Sequence, residues 1–566
     1  MNLITKFRKS QLLILMAAVL TALAPILIGW HSQTVYSGAD MQFHVNRIHE
    51  LVEQFKSGNL GIIAIHSFDS VGSGVQYFYP NFTLIPAVLI EYILTNSINA
   101  YYATLMFYGL LGFFISKYAF NKLLKDDWTS TLSSILYCLA MYNVNSIVAV
   151  SAFGEFIATL FIPLVVLGYL NIIKGRGWKT LWIAMVLIGY THLLSLLLTV
   201  LILIIITLGR TIFNPKKFLS EVTDYFKATI CFIVSYLAFI LPFFILMKEN
   251  NIVKPFAVIQ SQWTHSFAGY FVTSMSLSLD RRLGITLTLV LILIIWKWKR
   301  LSKEAKIFFW TGIILVFVGS SDFPWTYLEK TPINIIQFPY RFIPFAVVSL
   351  SLAAGLAIRD ISCHKDNPTF KKIMVVLISV FSFLSVIYST QNFKQGADTF
   401  YRMETGTDGH LNYNPFANYR VNAHSFEKQY NNQFDTYGAF DYWTIKAYEN
   451  RNSLLSQNVH ADNKTIPSQK LVNKDHVTFV VDHGKQRVID LPFIKYRGIP
   501  YDVRVNGKKT TPLESSRETI SVKSSQGRSV ITIQPKIPKY VILSWFISII
   551  ATVAVLISPL LKKRKS

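Results

Sequence analysis

Apolar runs of about 20 residues recur along most of this chain, separated by short polar segments. An α-helix of that length crosses the hydrocarbon core of a membrane, so each run predicts a transmembrane helix. A shorter apolar run from Phe82 to Leu94 contains Pro86, and we interpret it as a re-entrant or interfacial helix. The pattern predicts an α-helical polytopic membrane protein with about 12 transmembrane helices. The predicted spans are residues 11–30, 100–120, 129–149, 155–173, 179–190, 192–208, 226–247, 284–298, 306–320, 335–357, 370–390 and 540–560.

Residues 391–538 contain no such run, and their second half alternates apolar and polar positions as β-strands do. Val505-Asn506-Gly507-Lys508 is typical of a two-residue hairpin turn. We therefore expect a transmembrane domain (1–390) with a large first outer loop (31–99), a β-rich, sandwich-like domain (391–538), and a final transmembrane helix with a basic tail (539–566). The predicted strands are 477–482, 486–491, 501–505 and 529–534.

The chain carries 55 lysines and arginines against 31 aspartates and glutamates, a net charge of +24. Much of this excess lies in short loops and at both ends, as the positive-inside rule expects for cytoplasmic segments. The rule places both termini in the cytoplasm and the loops 31–99 and 391–538 on the opposite side. Because the charge is explained in this way, we expect no nucleic-acid partner. Three cysteines are too few for a disulfide framework.

Three polar residues, Asp40, His44 and Arg47, follow the first span at spacings that put them on one helix face. Such a cluster at a membrane surface is a candidate reaction site. A capped helix lying in the interface explains the same residues, because Ser37-x-x-Asp40 is a capping pattern and apolar residues form a stripe behind it. At a helix N-terminus the dipole would lower the pKa of Asp40 and keep it ionised.

Further polar residues fall on the same predicted side of the membrane. Glu155 lies between two apolar segments, and His192 interrupts a long apolar stretch, where it needs a partner. Arg341 follows Gln337 and a proline at the outer start of a span, which favours a fixed anion ligand. Each has a structural alternative: a solvated loop acid, an interhelical hydrogen bond, and an arginine that reaches lipid headgroups.

Two tyrosines, Tyr77 and Tyr79, precede the short apolar run Phe82 to Leu94. Tyrosines with flat apolar faces and hydroxyl edges suit a sugar-binding site, and they equally suit an interfacial aromatic belt. The chain has no P-loop, no GxGxxG, no HExxH and no CxxC pair. The energy for its activity must therefore come from an already activated substrate or from an ion gradient.

Six short motifs, in this order and spacing, resemble the GT-C superfamily of membrane glycosyltransferases, and more closely the YfhO-type bacterial membrane proteins. The resemblance implies a GT-C-like fold and a glycosyltransferase of the bacterial cell membrane with an extracytoplasmic active site. The motifs are Gly38-Ala39-Asp40-Met41-Gln42-Phe43-His44, Tyr77-Phe78-Tyr79-Pro80, Gly154-Glu155-Phe156, Thr191-His192, Gln337-Phe338-Pro339-Tyr340-Arg341-Phe342 and Leu491-Pro492-Phe493-Ile494-Lys495-Tyr496.

The resemblance implies three kinds of partner: a polyprenyl-phosphate sugar lipid, a cell-envelope polymer acceptor such as teichoic or lipoteichoic acid, and membrane lipids. It also implies that Asp40 is the catalytic base or a metal ligand. The acidic pairs Asp-x-Asp and Glu-x-Asp of such enzymes are absent, since Gly38 stands two residues before Asp40. A divalent metal would need Glu155 as its second carboxylate, so the sequence leaves the metal open.

Our leading hypothesis is that Arg341, with Arg47 and His192, holds the donor phosphate while Asp40 takes the proton from the acceptor hydroxyl. Two other classes of function stay open at this point. One is a transporter or flippase of envelope lipids, in which polar residues would line a pathway through the membrane. The other is a non-catalytic envelope assembly protein, in which the β-rich domain would be the binding part.

Overall fold

The structure is a computed structural model and describes residues 2–38, 40–58, 63–255, 257–363, 368–404, 419–426, 440–462, 464–524 and 526–563. Within these ranges the chain divides into two compact units, each assembled from separated stretches, whereas the predicted domains follow the order of the chain. Unit 1 comprises Met1–Met41, Asn96–Thr229 and Phe256–His424, and unit 2 comprises Gln42–Thr95, Ile230–Pro255 and Ser425–Ser566.

The described residues form mostly α-helices, with the strands concentrated near the C-terminus. The helices are α1 (Asn2–Leu23), α2 (Leu27–His31), α3 (Met41–Ser57), α4 (Val75–Phe78), α5 (Ile85–Ile93), α6 (Ser97–Leu124), α7 (Asp127–Cys138), α8 (Met141–Val148), α9 (Phe153–Thr159), α10 (Ile162–Ile173), α11 (Lys179–Gly189), α12 (Leu193–Phe213), α13 (Pro215–Ser235), α14 (Leu237–Glu249), α15 (Phe267–Val272), α16 (Ile285–Trp296), α17 (Lys303–Val318), α18 (Ile343–Cys363), α19 (Pro368–Glu404), α20 (Ala423–Phe426), α21 (Ile445–Glu449), α22 (Arg451–Leu455) and α23 (Lys539–Lys563). The strands are β1 (Val35–Ser37), β2 (Tyr419–Val421), β3 (Val459–Ala461), β4 (Lys464–Ile466), β5 (Ser468–Val472), β6 (Val477–His483), β7 (Val488–Ile494), β8 (Tyr501–Val505), β9 (Lys508–Thr510), β10 (Leu513–Glu514), β11 (Thr519–Lys523) and β12 (Gly527–Pro535).

Six described helices are long and apolar enough to cross a membrane, or up to eight if each of two bent helix pairs forms one span. The bent pairs are α7 with α8 and α13 with α14. Other predicted spans are shorter helices, among them α11, α16 and α17. The α-helical polytopic membrane fold is thus confirmed. The six are Ser97–Leu124, Phe153–Ile173, Leu193–Phe213, Pro339–Ser362, Pro368–Ala397 and Lys539–Ser558.

Several of these helices expose apolar side chains that a soluble protein would bury. Leu208 and Phe213 on α12 are largely exposed, as are Phe546 and Ile549 on α23. Exposed apolar surface of this extent marks contact with lipid rather than with water. The orientation of the helices across the membrane and the cytoplasmic placement of both termini stay predictions, and residues 564–566 of the basic tail lie outside the described part.

Helix α18 forms the centre of unit 1. Its side chains are almost all buried, and α17, α7 and α16 pack around it. Gly355 permits the close approach of α7, because a Cβ atom there would lie 2.2 Å from the Ser133 hydroxyl oxygen. The Ser133 hydroxyl in turn donates to the backbone carbonyl of Ser351 at 2.8 Å. This packing fixes the segment just before α18, which contributes to the candidate site.

Two five-stranded antiparallel sheets in unit 2 form the predicted sandwich. Their strand orders are β10-β11-β7-β3-β4 and β5-β6-β12-β8-β9. Apolar side chains from both sheets, such as Phe479 and Leu491, share one core. The hairpin predicted at 505–508 joins β8 to β9, with positive φ angles at Asn506 and Gly507. The four predicted strands are confirmed as β6, β7, β8 and β12. Much of the unassigned first half of 391–538 lies outside the described residues.

Residues 42–95, most of the loop predicted to be the first outer loop, belong to the same unit as this sandwich. The backbone N–H of Ile494 donates to the carbonyl of Val71 at 2.7 Å, and the N–H of Gly74 donates to the Tyr496 hydroxyl at 3.1 Å. Gly72 lies against the Phe493 ring, which a Cβ atom would approach to 2.5 Å. Short-range patterns along the chain could not reveal this long-range packing. The short helix α5 follows in the same loop, and its re-entrant or interfacial position stays a prediction.

Helix α3 is present as predicted, and several of its polar residues are buried, whereas Glu53 and Lys56 near its end are partly exposed. His44, Arg47 and Glu50 are all at most 3% exposed. Each of these three side chains is therefore enclosed by the protein. The physical reason is that loop residues of unit 2 bring hydrogen-bond partners to the polar face. The side chain of Ser37, the predicted cap, lies outside the described part.

Glu50 is the clearest of these buried groups. Its carboxylate accepts hydrogen bonds from the backbone N–H groups of Ile65, His66 and Ser67 at 2.8–3.0 Å. It also accepts from the Ser67 hydroxyl at 3.0 Å and from the Gln54 amide at 2.9 Å. Five donors around one carboxylate satisfy it completely and hold residues 65–67 against α3.

Replacing Glu50 by glutamine should destabilise the protein by about 3 kcal/mol, because an amide NH₂ would face N–H donors and leave buried groups unsatisfied. Thermal unfolding in detergent measures the effect. Glu53→Gln on the same helix is the control, because Glu53 is half-buried and, among the described residues, forms an ion pair only with Lys56 at 2.7 Å. The control should change the unfolding free energy by less than about 0.5 kcal/mol. Equal melting temperatures for the two variants would contradict this role of Glu50.

Candidate functional site

Asp40 lies in the turn between β1 and α3, and a close backbone contact holds that turn. Its N–H donates to the carbonyl of Val150 at 3.1 Å. Gly38 makes the contact sterically feasible, because a Cβ atom at this position would lie 2.1 Å from the carbonyl oxygen of Ala149. The turn 149–152 leads directly into α9, so the same contact brings the Asp40 turn to the start of that helix.

The environment of Asp40 raises its pKa to about 6, from an ordinary value of 3.8. Burial is the main cause and the negative charge of Glu155 adds to it, while Arg281 and Arg341 oppose the shift. The prediction of a lowered pKa is therefore wrong. It considered only the helix N-terminus, whereas desolvation and a second carboxylate dominate. A carboxyl group with this pKa can accept and release a proton near neutral pH.

Glu155 lies in the first turn of α9 and has two partners from other helices. Its Oε1 accepts a hydrogen bond from the Tyr142 hydroxyl of α8. Its Oε2 lies 3.6 Å from Nε of Arg341, and both side chains are 14% exposed. This distance is an ion pair without a hydrogen bond, and the buried Nε of Arg341 has no hydrogen-bond partner in the described structure. Glu155 and Arg341 therefore form a close ion pair in which Nε of Arg341 lacks a hydrogen bond to any described residue.

Arg341 sits in a 3₁₀ turn, Pro339–Phe342, at the entry to α18. Its Nη1 donates to the carbonyl of Ile336 at 2.7 Å and to the side-chain oxygen of Gln337 at 2.8 Å. Gln337 has a φ of +62°, a conformation that turns the chain back on itself before Pro339. Gln337 and Arg341 are thus hydrogen-bonded to each other, and the Ile336 carbonyl helps to position the guanidinium.

Arg281 was not singled out from the sequence, and the structure places it in the same cluster. Its Cζ lies 4.2 Å from the centre of the Tyr340 ring, a cation–π contact. Burial by itself lowers the pKa of Arg281, but Tyr340, Tyr142, Glu155 and Asp40 raise it above its usual value. Its side chain donates no hydrogen bond to any described residue. The Arg281 guanidinium is therefore positioned by Tyr340, while its N–H groups form no hydrogen bond to described residues.

The loop before α16 is rigid enough to hold Arg281 in place. The neighbouring Arg282 binds the carboxylate of Asp280 through Nε and Nη2 at 3.0–3.1 Å, and His265 contacts the same carboxylate at 2.9 Å. The carbonyl of Arg282 accepts the N–H of Tyr142 at 2.8 Å. This last bond ties the loop to α8. No sequence motif marks these residues.

His192 lies at the predicted break between α11 and α12, where it caps α12. Its Nδ1 accepts the backbone N–H of Ser195 at 3.3 Å and contacts the Ser195 hydroxyl at 2.8 Å. His192 also interacts electrostatically with Glu155. His192 therefore caps α12 and also belongs to the cluster around Glu155.

Four predicted site residues, His44, Arg47, Tyr77 and Tyr79, belong to unit 2. Arg47 donates from Nη2 to the carbonyls of Tyr79 and Pro80 at 3.1 and 2.6 Å, and its Cζ lies 4.1 Å from the centre of the Tyr79 ring. Tyr77 is part of the apolar core of that unit. The cluster in unit 1 thus contains Asp40, Glu155, His192, Gln337 and Arg341 from the sequence prediction, together with Arg281, Tyr142 and Tyr340.

The residues of this cluster do not suit a divalent metal. Glu155 already binds Tyr142 and Arg341, and two guanidinium groups stand close to both carboxylates. Among the residues that the structure describes, no group of three or more His, Cys, Asp or Glu side chains could hold a metal ion. The cluster combines two carboxylates with two cations, which suits binding of an anion next to a proton acceptor.

Comparison with known proteins places the chain in a family. The model of the 6-pyruvoyl-tetrahydropterin synthase related domain, described as a membrane protein, matches residues 75–394, more than half of the chain. The chain therefore belongs to this family of membrane proteins. No curated protein matches it. Among solved structures, the chain is similar to the crystal structure of ArnT from Cupriavidus metallidurans bound to undecaprenyl phosphate, with a TM-score of 0.36 and 14% sequence identity. That match covers 70% of this chain and 79% of the other.

Proposed function

We propose that this protein is a membrane glycosyltransferase of the GT-C type. It would move a sugar from a polyprenyl-phosphate donor to a hydroxyl group of an extracytoplasmic cell-envelope polymer. The observation that carries the proposal is the cluster in unit 1, where Asp40, Glu155, Arg281 and Arg341 come from four distant parts of the chain. Charged groups inside a membrane protein are costly unless they are partnered, and where they are kept they mark functional sites. These four interact electrostatically with one another.

The arginines supply the donor site. Arg281 has unused donors and a fixed position over Tyr340, so it is the first candidate for the phosphate of the donor. Arg341 can add a second contact, because its Nε has no hydrogen bond in the described structure. Two guanidinium groups around a phosphate stabilise the negative charge that develops as the bond between sugar and phosphate breaks.

Asp40 supplies the base. With its pKa near 6 it is mostly ionised at neutral pH and can still bind a proton. It takes the proton of the acceptor hydroxyl as that oxygen forms a bond to the anomeric carbon. The bond from this carbon to the phosphate oxygen breaks, and polyprenyl phosphate leaves with the electron pair. A single displacement inverts the configuration at the anomeric carbon.

Analysis of envelope polymers tests the proposal in cells. Polymers from cells with the intact gene, without the gene, and with the Asp40→Asn variant should be hydrolysed and their sugars identified. The proposal predicts that one sugar substituent is lost in both altered strains. An unchanged sugar composition in the strain without the gene would overturn it. Loss in that strain but restoration by Asp40→Asn would favour a transporter or an assembly protein.

Gly38→Ala should reduce the transfer rate at least tenfold, because the added methyl group displaces the Asp40 turn from Val150 and misplaces the base. The cost in stability should be about 1–3 kcal/mol, as for other overpacked sites. Steady-state transfer and thermal unfolding measure the two effects. The matched control is Gly396→Ala on α19, where a Cβ atom meets no neighbour within 4 Å. Wild-type transfer by Gly38→Ala would show that this contact does not position Asp40.

A further inference from the structure

Arg47 of unit 2 is a buried cation, and the described residues supply hydrogen-bond acceptors for only part of its guanidinium group. It is 1% exposed, yet no aspartate or glutamate pairs with it among the described residues. Its Nη2 donates to two carbonyl oxygens, those of Tyr79 and Pro80. Its Nε is buried and has no hydrogen-bond partner in the described structure. Among the described residues, hydrogen-bond acceptors are therefore found for Nη2 alone of its three side-chain nitrogens.

Such a group is expensive to bury. A buried charge without a partner of opposite sign costs several kcal/mol, and neutral carbonyls compensate only part of it. Burial lowers the pKa of Arg47 to about 10, while Tyr79 and Tyr442 work in the opposite direction. Arg47 therefore remains charged at neutral pH. An anion that binds next to it would supply the missing negative charge.

The surroundings of Arg47 are aromatic. The Tyr79 ring lies 4.1 Å from its Cζ and the Phe43 ring 5.7 Å. The His44 ring meets the Tyr79 ring edge to face, with centres 5.8 Å apart. Flat apolar faces with polar edges are what proteins use against the C–H faces of a polyol or sugar. The guanidinium adds a fork of donors that fits phosphate.

From this geometry we propose that Arg47, with Phe43, His44 and Tyr79, forms a ligand site of unit 2 for a phosphate group carried by a polyol or sugar. A purely structural arginine that clamps the Tyr79–Pro80 turn would need only its Nη2 group. Among the described residues Nε has no hydrogen-bond partner and the guanidinium has no carboxylate partner, which points beyond such a clamp. The proposal concerns binding alone, and it holds or fails independently of glycosyl transfer.

Binding of glycerol 1-phosphate to the purified full-length protein in detergent tests the proposal. The protein should carry Arg281→Gln and Arg341→Gln, so that unit 1 contributes no arginine to phosphate binding. Calorimetric titration should show saturable binding, and the added Arg47→Gln should weaken it at least tenfold. The control is Arg497→Gln, since Arg497 is exposed and pairs with Glu514 at 2.6 Å. It should leave binding unchanged.

Two further experiments are needed. One identifies the source of the phosphate, and the other replaces the titration if Arg47→Gln does not fold. Phosphatidylglycerol in nanodiscs should compete with glycerol 1-phosphate if the natural ligand is a lipid headgroup, and fail to compete if it is a soluble or polymeric phosphate. If Arg47→Gln does not fold, hydrogen exchange of residues 75–84 in the Arg281→Gln/Arg341→Gln protein decides instead. Slower exchange with glycerol 1-phosphate supports the site. Absent binding, equal affinity after Arg47→Gln, or unchanged exchange overturns it.

Discussion

Asp40→Asn is expected to abolish glycosyl transfer and at the same time to raise the melting temperature of the protein at pH 7.5. The loss of rate should be about 10²- to 10⁴-fold, the usual contribution of a positioned general base. The gain in stability follows from the raised pKa. The folded state binds the Asp40 proton more tightly than the unfolded chain does, so ionisation of Asp40 above pH 6 disfavours folding. Asparagine is neutral at every pH and removes that penalty.

The stability difference between Asp40→Asn and the wild-type protein should depend on pH. Between about pH 4 and pH 6 the unfolded chain has already lost the Asp40 proton while the folded chain retains it, so the stability from this group falls as pH rises. The stability gain of Asp40→Asn should therefore be present at pH 7.5 and absent at pH 4. The wild-type transfer rate should fall as pH drops below 6, because the protonated base cannot accept a proton. Glu329→Gln, which neutralises an exposed loop carboxylate of unit 1, should change neither the stability nor the transfer rate.

If Asp40→Asn keeps the wild-type transfer rate, Asp40 is not the catalytic base. A variant that loses rate and also melts at a lower temperature would show that Asp40 acts through structure rather than as a base. Melting curves at both pH values, together with initial rates on the same preparations, separate these outcomes.

Arg281→Gln is expected to lower kcat/KM for the lipid donor by about 10²- to 10³-fold, the range found when a preorganised donor to a developing charge is removed. Its side chain forms no hydrogen bond to described residues, but its charge attracts the carboxylates of Asp40 and Glu155, so its loss leaves both less compensated. The melting temperature should therefore fall as well, and rates are compared at a temperature at which both proteins are folded. Initial rates at several donor concentrations measure the effect on kcat and KM.

The matched control is Arg300→Gln, which removes one positive charge from an exposed position of the same unit. It should leave kcat/KM within about twofold. Equal losses in Arg281→Gln and Arg300→Gln would show that net charge, and not a phosphate contact at Arg281, governs donor binding. A large loss in Arg341→Gln with no loss in Arg281→Gln would assign the phosphate to Arg341 alone.

The sequence predicted much of the fold because hydrophobic length and alternation act locally. The long apolar runs became helices such as α6 and α12, and Asn506-Gly507 became the predicted hairpin. Polar residues inside apolar stretches were equally informative, since burial of Glu155 or Arg341 needs a partner. The structure pairs these two. Grouping them with Asp40 required only the assumption that buried polar groups in a membrane protein pair with one another.

Other features of the site depend on contacts that no local pattern encodes. Arg281 has charged neighbours on both sides of it in the chain, and only packing against Tyr340 distinguishes it from Arg282. The pKa of Asp40 was given the wrong direction because burial and Glu155 outweigh the helix N-terminus. The polar and apolar residues of α3 also fitted a capped interfacial helix, and no local pattern shows that the backbone of residues 65–67 covers Glu50.

Transfer by the purified protein is the most direct test of the central claim. Wild-type protein in liposomes should be given a polyprenyl-phosphate sugar labelled in the sugar, together with isolated envelope polymer. The proposal predicts that labelled sugar appears on the polymer and that an equal amount of polyprenyl phosphate is released. It also predicts that Asp40→Asn shows neither product. Movement of the intact sugar lipid between leaflets without release of polyprenyl phosphate would contradict the claim and identify a transporter.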